Sequence, residues 1–310
     1  MKKYFLLFFV LVLLTSCEQE ITLELPVQEA KLVVEGNIEP NSPPFVLLTK
    51  SQGYFEEINQ TSFENSFVHG AIVKVSDGTN EIQLSEICTN NLPDSLLPYI
   101  AQYLGVDASS LASINYCFYT SFNPAIFGVL GKIYNLSVIS ENKTYTATTQ
   151  ILQPIALDSL WFELDKGQTS LGYIWAKMSD PAGLGDNYRW FAQRKGKDET
   201  YYAPFGSSFE DKFIDGKTFN FGYNRGSAPN SSKPEDNNSE RGYFKTGDTV
   251  IVKFCTINRA AFEFFRTYET EVGNNGNPFA SPTTIVTNIE GGGLGIWCGY
   301  APAYDTIVAQ

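Results

Sequence analysis

The sequence predicts an all-β fold: two β-sandwich-like domains in tandem, with a short helical insert in the first and one longer helix in the second. Three observations predict it. Short runs rich in β-branched and aromatic side chains recur from Lys31 onward, as in Leu32-Val33-Val34 and Lys143-Thr144-Tyr145-Thr146. Turn signals such as Asp77-Gly78 and Glu141-Asn142 separate them at short intervals. Helical spacing of apolar residues is confined to a few places, chiefly Leu96 to Leu104 and Ala261 to Val272.

Residues 1–16 read as a lipoprotein signal peptide. Lys2 and Lys3 precede an apolar run from Tyr4 to Leu14 that is too short to span a bilayer as a mature helix. Leu14-Thr15-Ser16-Cys17 has the leucine-small-small-cysteine form of the bacterial lipobox, so Cys17 is expected to become the acylated first residue. Two or more acyl chains, at about 0.8 kcal/mol per buried methylene, give stable membrane attachment. Residues 17–30 (CEQEITLELPVQEA) form a lipidated acidic tether. Acidic residues directly after the lipidated cysteine resemble the surface-export signals of Bacteroidota lipoproteins. The expected location is therefore the outer membrane facing the cell surface, with the periplasmic face as the alternative.

Residues 31–153 are expected to form an immunoglobulin- or transthyretin-like sandwich. Leu32 to Ile38 and Phe45 to Thr49 are strands around the turn Pro40-Asn41-Ser42-Pro43-Pro44. Ala71 to Ser76 is answered across Asp77-Gly78 by Glu81 to Leu84, and Tyr134 to Ile139 by Lys143 to Thr149 across Glu141-Asn142. The insert, residues 88–117, places Leu96, Leu97, Ile100, Ala101 and Leu104 at helical spacing, with a second short helical piece around Leu111 and Ile114. Insertions on a rigid scaffold often carry function, which makes Leu97, Ile100 and Leu104 candidates for docking a partner. The alternative is that they cap the sandwich core.

Gln153-Pro154-Ile155 marks the expected boundary, and residues 154–310 form the second, β-rich domain. Its strands include Ser159 to Leu164, Gly172 to Met178, Asn187 to Ala192 and Asp248 to Phe254. Residues 224–241 lack apolar periodicity and read as a mobile loop. A helix over about residues 259–272 follows, with Asn258 as N-cap and Gly273 at its end. Trp161, Trp175 and Trp190 lie in strands and are expected to fill the core.

Loss of the signal removes two lysines and takes the formal charge from −12 to −14, which argues against nucleic acid and anionic headgroups as partners. Besides Cys17 there are Cys88, Cys117, Cys255 and Cys298, an even number that suggests disulfides in an exported protein. Three connectivities are possible; pairing neighbours in sequence, Cys88 with Cys117 and Cys255 with Cys298, respects the domain split. Free buried thiols are the alternative, and zinc fails because no CxxC is present.

Catalytic constellations are scarce. The single histidine, His69, stands at a strand entrance and reads as structural, which leaves no base for a Ser-His-Asp or Cys-His site. Paired carboxylates could hydrolyse glycosides, but no pair is singled out. The glycines at 291–295 lack the Gly-Lys-Ser/Thr ending of a phosphate loop. Asp180, Asp186 and the Glu235-Asp236 pair lack the ligand spacing of a calcium loop. The expectation is no catalytic residue, no metal and no cofactor.

Several stretches in order carry a resemblance. They are Cys17-Glu18-Gln19-Glu20, Lys31 to Gly36, Gly70-Ala71 to Gly78, Lys143 to Ala147, and Asp158-Ser159-Leu160-Trp161. Asp180-Pro181 with Asn187-Tyr188-Arg189, Gly247-Asp248-Thr249-Val250, Asn277-Pro278-Phe279 and Gly292 to Ile296 complete the set. Together they resemble the Bacteroidota lipoproteins of the domain-of-unknown-function 4249 family, over nearly the whole mature chain. The resemblance implies an outer-membrane lipoprotein encoded beside a TonB-dependent receptor, and hence an accessory subunit for uptake or surface assembly. It transfers no catalytic residue. The alternatives are a surface hydrolase of glycans or peptides using paired carboxylates, and a structural or adhesive envelope protein.

Overall fold

The computed structural model describes residues 29–53, 59–104, 111, 113–228, 231, 233–274 and 284–310. Cys17 and the signal peptide lie outside the described residues. Among those residues, no helix is long and apolar enough to cross a membrane.

The protein is all-β, and its first unit is a two-sheet sandwich. One sheet holds β1 (Leu32–Ile38), β2 (Phe45–Lys50), β5 (Ser85–Cys88), β6 (Cys117–Thr120) and β16 (Leu294–Gly299), in the order β16-β1-β2-β6-β5. The other is β4-β3-β7-β8, from β3 (Ile72–Ser76), β4 (Glu81–Gln83), β7 (Ile133–Ser140) and β8 (Lys143–Gln150). Alternation in the sequence sets the inner faces. Tyr134, Leu136 and Val138 on β7 and Tyr145 and Ala147 on β8 meet Val34, Ile38, Val46 and Leu48 of the opposing sheet. The β7–β8 turn closes through Glu141 (φ 50°) and Asn142 (φ 61°), with Ser140 opposite Lys143, the geometry of a two-residue hairpin of twist-matched type. At Asp77-Gly78 only Gly78 takes a positive φ (85°). Asp77 acts through its carboxylate, which accepts from the N–H of Thr79 (3.0 Å) and of Asn80 (2.7 Å).

The second unit is also a sandwich. β9 (Ser159–Leu164), β13 (Thr218–Tyr223) and β14 (Phe244–Lys245) pair with β10 (Leu171–Ser179), facing the sheet β12-β11-β15-β17. That sheet comprises β11 (Asn187–Arg194), β12 (Ser208–Glu210), β15 (Thr249–Thr256) and β17 (Ala301–Val308). Ile174, Met178, Tyr188, Trp190, Val252 and Phe254 fill the space between them. Trp190 is fully buried, but Trp161 and Trp175 are not core residues as expected. Because Ile174, Ala176 and Met178 face inward, Trp175 must face outward, where it stacks on Trp161 with ring centroids 6.1 Å apart.

The two units are not consecutive in sequence, because the chain returns to the first near its end. β16 returns to pair in parallel with β1, Val34 opposite Gly295 and Gly36 opposite Trp297. Trp297 is buried in the first core, its indole N–H donating to the Tyr134 carbonyl (3.0 Å), and Ile289 packs there too. Two glycines allow this approach. A Cβ on Gly295 (φ 97°) would lie 1.9 Å from the Val34 carbonyl oxygen, and one on Gly36 would lie 2.7 Å from the Trp297 ring.

Three helices are named here: α1 (Gln60–Glu64), α2 (Leu97–Leu104) and α3 (Arg259–Asn274). Asn258 caps α3 as expected, its Oδ1 accepting from the Ala261 N–H at 2.9 Å. Ala261, Phe262 and Phe265 of α3 pack against Cys255 of β15, Ile257 just after it, and Ile296 and Cys298 of β16. The helix therefore forms a third small core between the two sandwiches.

The segment 224–241 also differs from expectation. Its described residues are tied by Arg225, which donates to Asp236 (2.6 Å), and by Ser231, which donates to the same carboxylate (2.6 Å). Composition alone hides this, because the tie comes from a buried ion pair, Arg225 with Asp236, and not from apolar periodicity.

Candidate functional site

The junction between the sandwiches holds a cavity of about 320 Å³. Strand parity builds its walls. Leu32, Val34 and Ile38 of β1 point into the first core, so Val33, Glu35 and Asn37 project from the other face toward α3. Phe264, Phe265 and Tyr268 of α3, Ile296 and Cys298 of β16, and Tyr300 supply the rest of the lining. Tyr188 and Trp190 of β11 face the second core, which sends Arg189 outward into the junction. A second cavity of about 490 Å³ shares Arg189 and Tyr268 with the first and adds Tyr201, Phe205, Arg241 and Glu269.

Arg189 sits against aromatic rings, 3.4 Å from the Phe265 centroid and 5.3 Å from that of Phe191. Its Nε and Nη1 are enclosed without an acceptor, and Nη2 lies 3.6 Å from Glu269, too far for a hydrogen bond. Burial raises the Glu269 carboxyl, against the pull of Arg189 and of the Gly206 N–H that it accepts at 2.8 Å. Glu35 is open to water at the cleft, yet the protein crowded around it strips hydration and raises its carboxyl above the usual carboxylate range. Nearby, Lys253 of β15 pairs with Glu39, which follows β1, and ties one sandwich to the other. Burial would lower the Lys253 ammonium, but the Glu39 charge prevails and holds it above its ordinary value.

The family model described as a domain of unknown function (DUF4249) matches residues 18–304. The chain belongs to this family. No curated protein matches it. DUF4249 membership names no activity, so the site is read from its geometry.

The expected site residues fall in several places. Cys88 and Cys117 stand opposite each other on β5 and β6 and are joined by a disulfide at the base of the insert. Cys255 and Cys298, the other expected pair, are free thiols buried in the core around α3. Here the alternative reading applies. Cys255 belongs to a second-sandwich strand and Cys298 to β16 of the first, and burial raises both thiols, Cys298 to about 12. Leu97 and Ile100 are half-buried on α2, and Leu97 lines a hollow of about 450 Å³ that reaches Glu64 of α1. Leu104 ends α2, and its side chain lies outside the described residues. His69 is exposed, its Nδ1 2.5 Å from Glu86.

Two clusters escaped sequence reasoning. Asp180, Asp211 and Asp215 bring carboxylate oxygens within 4.8 Å of one another. They staple two loops: Asp211 accepts from the N–H of Gly185 and of Asp186, Asp215 from Gly183, and Asp180 from the Tyr188 hydroxyl. A hollow of about 490 Å³ is lined by Arg194, Lys197, Arg225, Lys233 and Lys245, each paired with a carboxylate. Neither cluster has a sequence signal, because Asp180 is far in sequence from Asp211 and Asp215 and the basic residues come from several segments.

Proposed function

We propose that this protein is a lipid-anchored binding subunit of the outer membrane, held by acylated Cys17 and acting beside a TonB-dependent transporter in uptake or surface assembly. The observation that carries the reading is the lipobox Leu14-Thr15-Ser16-Cys17 at the head of a chain that otherwise folds as two sandwiches. A tether of residues 17–30 lets this body stand at the membrane without entering it. The junction supports binding better than hydrolysis. Among the described residues Glu35 is the one carboxylate lining the smaller cavity, and Glu269, in the larger, already faces Arg189. The insert clamped by Cys88–Cys117 presents Leu96, 43% exposed, beside Leu97 and Ile100 as a surface for the transporter.

A deletion strain tests the role. Loss of uptake of a transported nutrient with the envelope intact, restored by the wild-type chain but not by Cys17→Ser, is the expected result. Restoration by Cys17→Ser as complete as by wild type overturns the anchored role.

A further inference from the structure

We infer that the junction cleft binds a small amphipathic monoanion, a carboxylate carried on an apolar or aromatic body, with Arg189 as its charge partner. This deepens the binding role proposed above but does not depend on the transporter.

Two other arginines, Arg194 and Arg225, are buried in this fold. Arg194 donates to both oxygens of Asp198, and Arg225 donates to Asp236 and to the carbonyls of Tyr243 and Glu235. Both are structural, and both have their donors met. Arg189 is different. Among the described residues it alone has two enclosed donor nitrogens without an acceptor, and its remaining nitrogen, Nη2, has only the 3.6 Å approach of Glu269. A guanidinium withdrawn from water with its donors unmet is expensive to keep, and two aromatic rings compensate only in part. Its position explains why it is kept: Arg189 lies in the wall shared by both cavities, and a ligand there would meet it through Nη2, the nitrogen that is not enclosed and that Glu269 approaches without a hydrogen bond.

The surroundings define the ligand. A planar guanidinium prefers a planar carboxylate or a phosphate. In the smaller cavity Glu35 faces the same space as Arg189 and would repel a dianion, which leaves the single charge of a carboxylate. Val33, Ile296 and the parallel rings of Phe264 and Tyr268, with centroids 5.9 Å apart, present an apolar face to the rest of the molecule. The smaller cavity suits a compact organic acid.

Calorimetric titration of the full chain in detergent provides the test, with phenylacetate, indole acetate and hexanoate as probes. Neutral phenylacetamide and inorganic phosphate are the controls. The expected result is saturable binding of at least one carboxylate, weakened about tenfold or more by Arg189→Lys, and weaker still for the amide and for phosphate. The Arg189 side chain is only 12% exposed and its replacement can impair folding, so Val33→Trp serves as a second variant that fills the cavity and leaves the arginine in place. It should abolish binding without changing the circular dichroism spectrum. Equal binding of amide and carboxylate, equal binding of phosphate, undiminished binding by Val33→Trp, or no carboxylate bound at millimolar concentration would each overturn the proposal. Recovery of a transporter together with any of these negatives removes the cleft assignment alone and leaves the anchored role standing.

Discussion

Asp77 shows how a single side chain fixes a hairpin. Its carboxylate holds the N–H groups of Asn80 and Thr79 and pairs with Lys132 at 2.7 Å, and the Asn80 bond contributes most to keeping its carboxyl well below the usual range. Asp77→Ala should lower stability by about 1–2 kcal/mol at neutral pH in denaturant titration. Because the folded-state value is depressed, this stabilisation is present above the unfolded value of about 4 and fades as pH falls through the folded one. The gap between wild type and variant should therefore narrow in acid. Asp186 has the opposite sign. Burial, and then the charges of Asp180, Asp211 and Asp215, raise its carboxyl, so its ionised form destabilises the fold at neutral pH. Asp186→Asn should raise the melting temperature there, by an amount worth up to about 1 kcal/mol, and the gain should vanish as pH falls and the wild-type group protonates. Asp77-Gly78 was legible as a turn because its information is local. Arg189 was not, since Asn187-Tyr188-Arg189-Trp190 reads only as alternation, and what faces the outward side comes from α3 and β1.

The same contrast governs the elements. β7 and β8 were legible with their turn, because alternation and two adjacent turn residues specify a hairpin without help from elsewhere. The parallel pairing of β1 with β16 left no such trace; the partners lie at opposite ends of the chain and no local turn joins them. Only the glycines at 291–295 hint at a close approach of backbones, and they name no partner. Gly295 is where the pairing is most exposed to mutation. Gly295→Ala combines a positive φ with a Cβ placed 1.9 Å from the Val34 carbonyl oxygen, and should cost about 3 kcal/mol or more in thermal or denaturant unfolding. Gly78→Ala, also at positive φ but with open space around it, should cost distinctly less. A similar loss at both positions would mean that backbone strain, and not the contact of β16 with β1, decides the effect.

At the scale of the whole molecule, two sandwiches share a strand exchange, a helix and the Lys253–Glu39 ion pair, so the junction is as much a core as either sandwich. The thiols test this directly. Cys255 and Cys298 should resist alkylation in the native protein and react only on unfolding, while Cys88 and Cys117 remain unreactive until reduced. Rapid native labelling of Cys255, which lines neither cavity, would show that the junction opens. The central claim is broader, that this body stands at the outer membrane on a lipid and serves a transporter. The most direct measurement is to purify the intact protein from gently solubilised outer membrane and determine by mass spectrometry both its N-terminus and its companions. The account predicts an acylated Cys17 as first residue and a stoichiometric partner of β-barrel size. An unmodified N-terminus, or a protein that emerges alone, would contradict it.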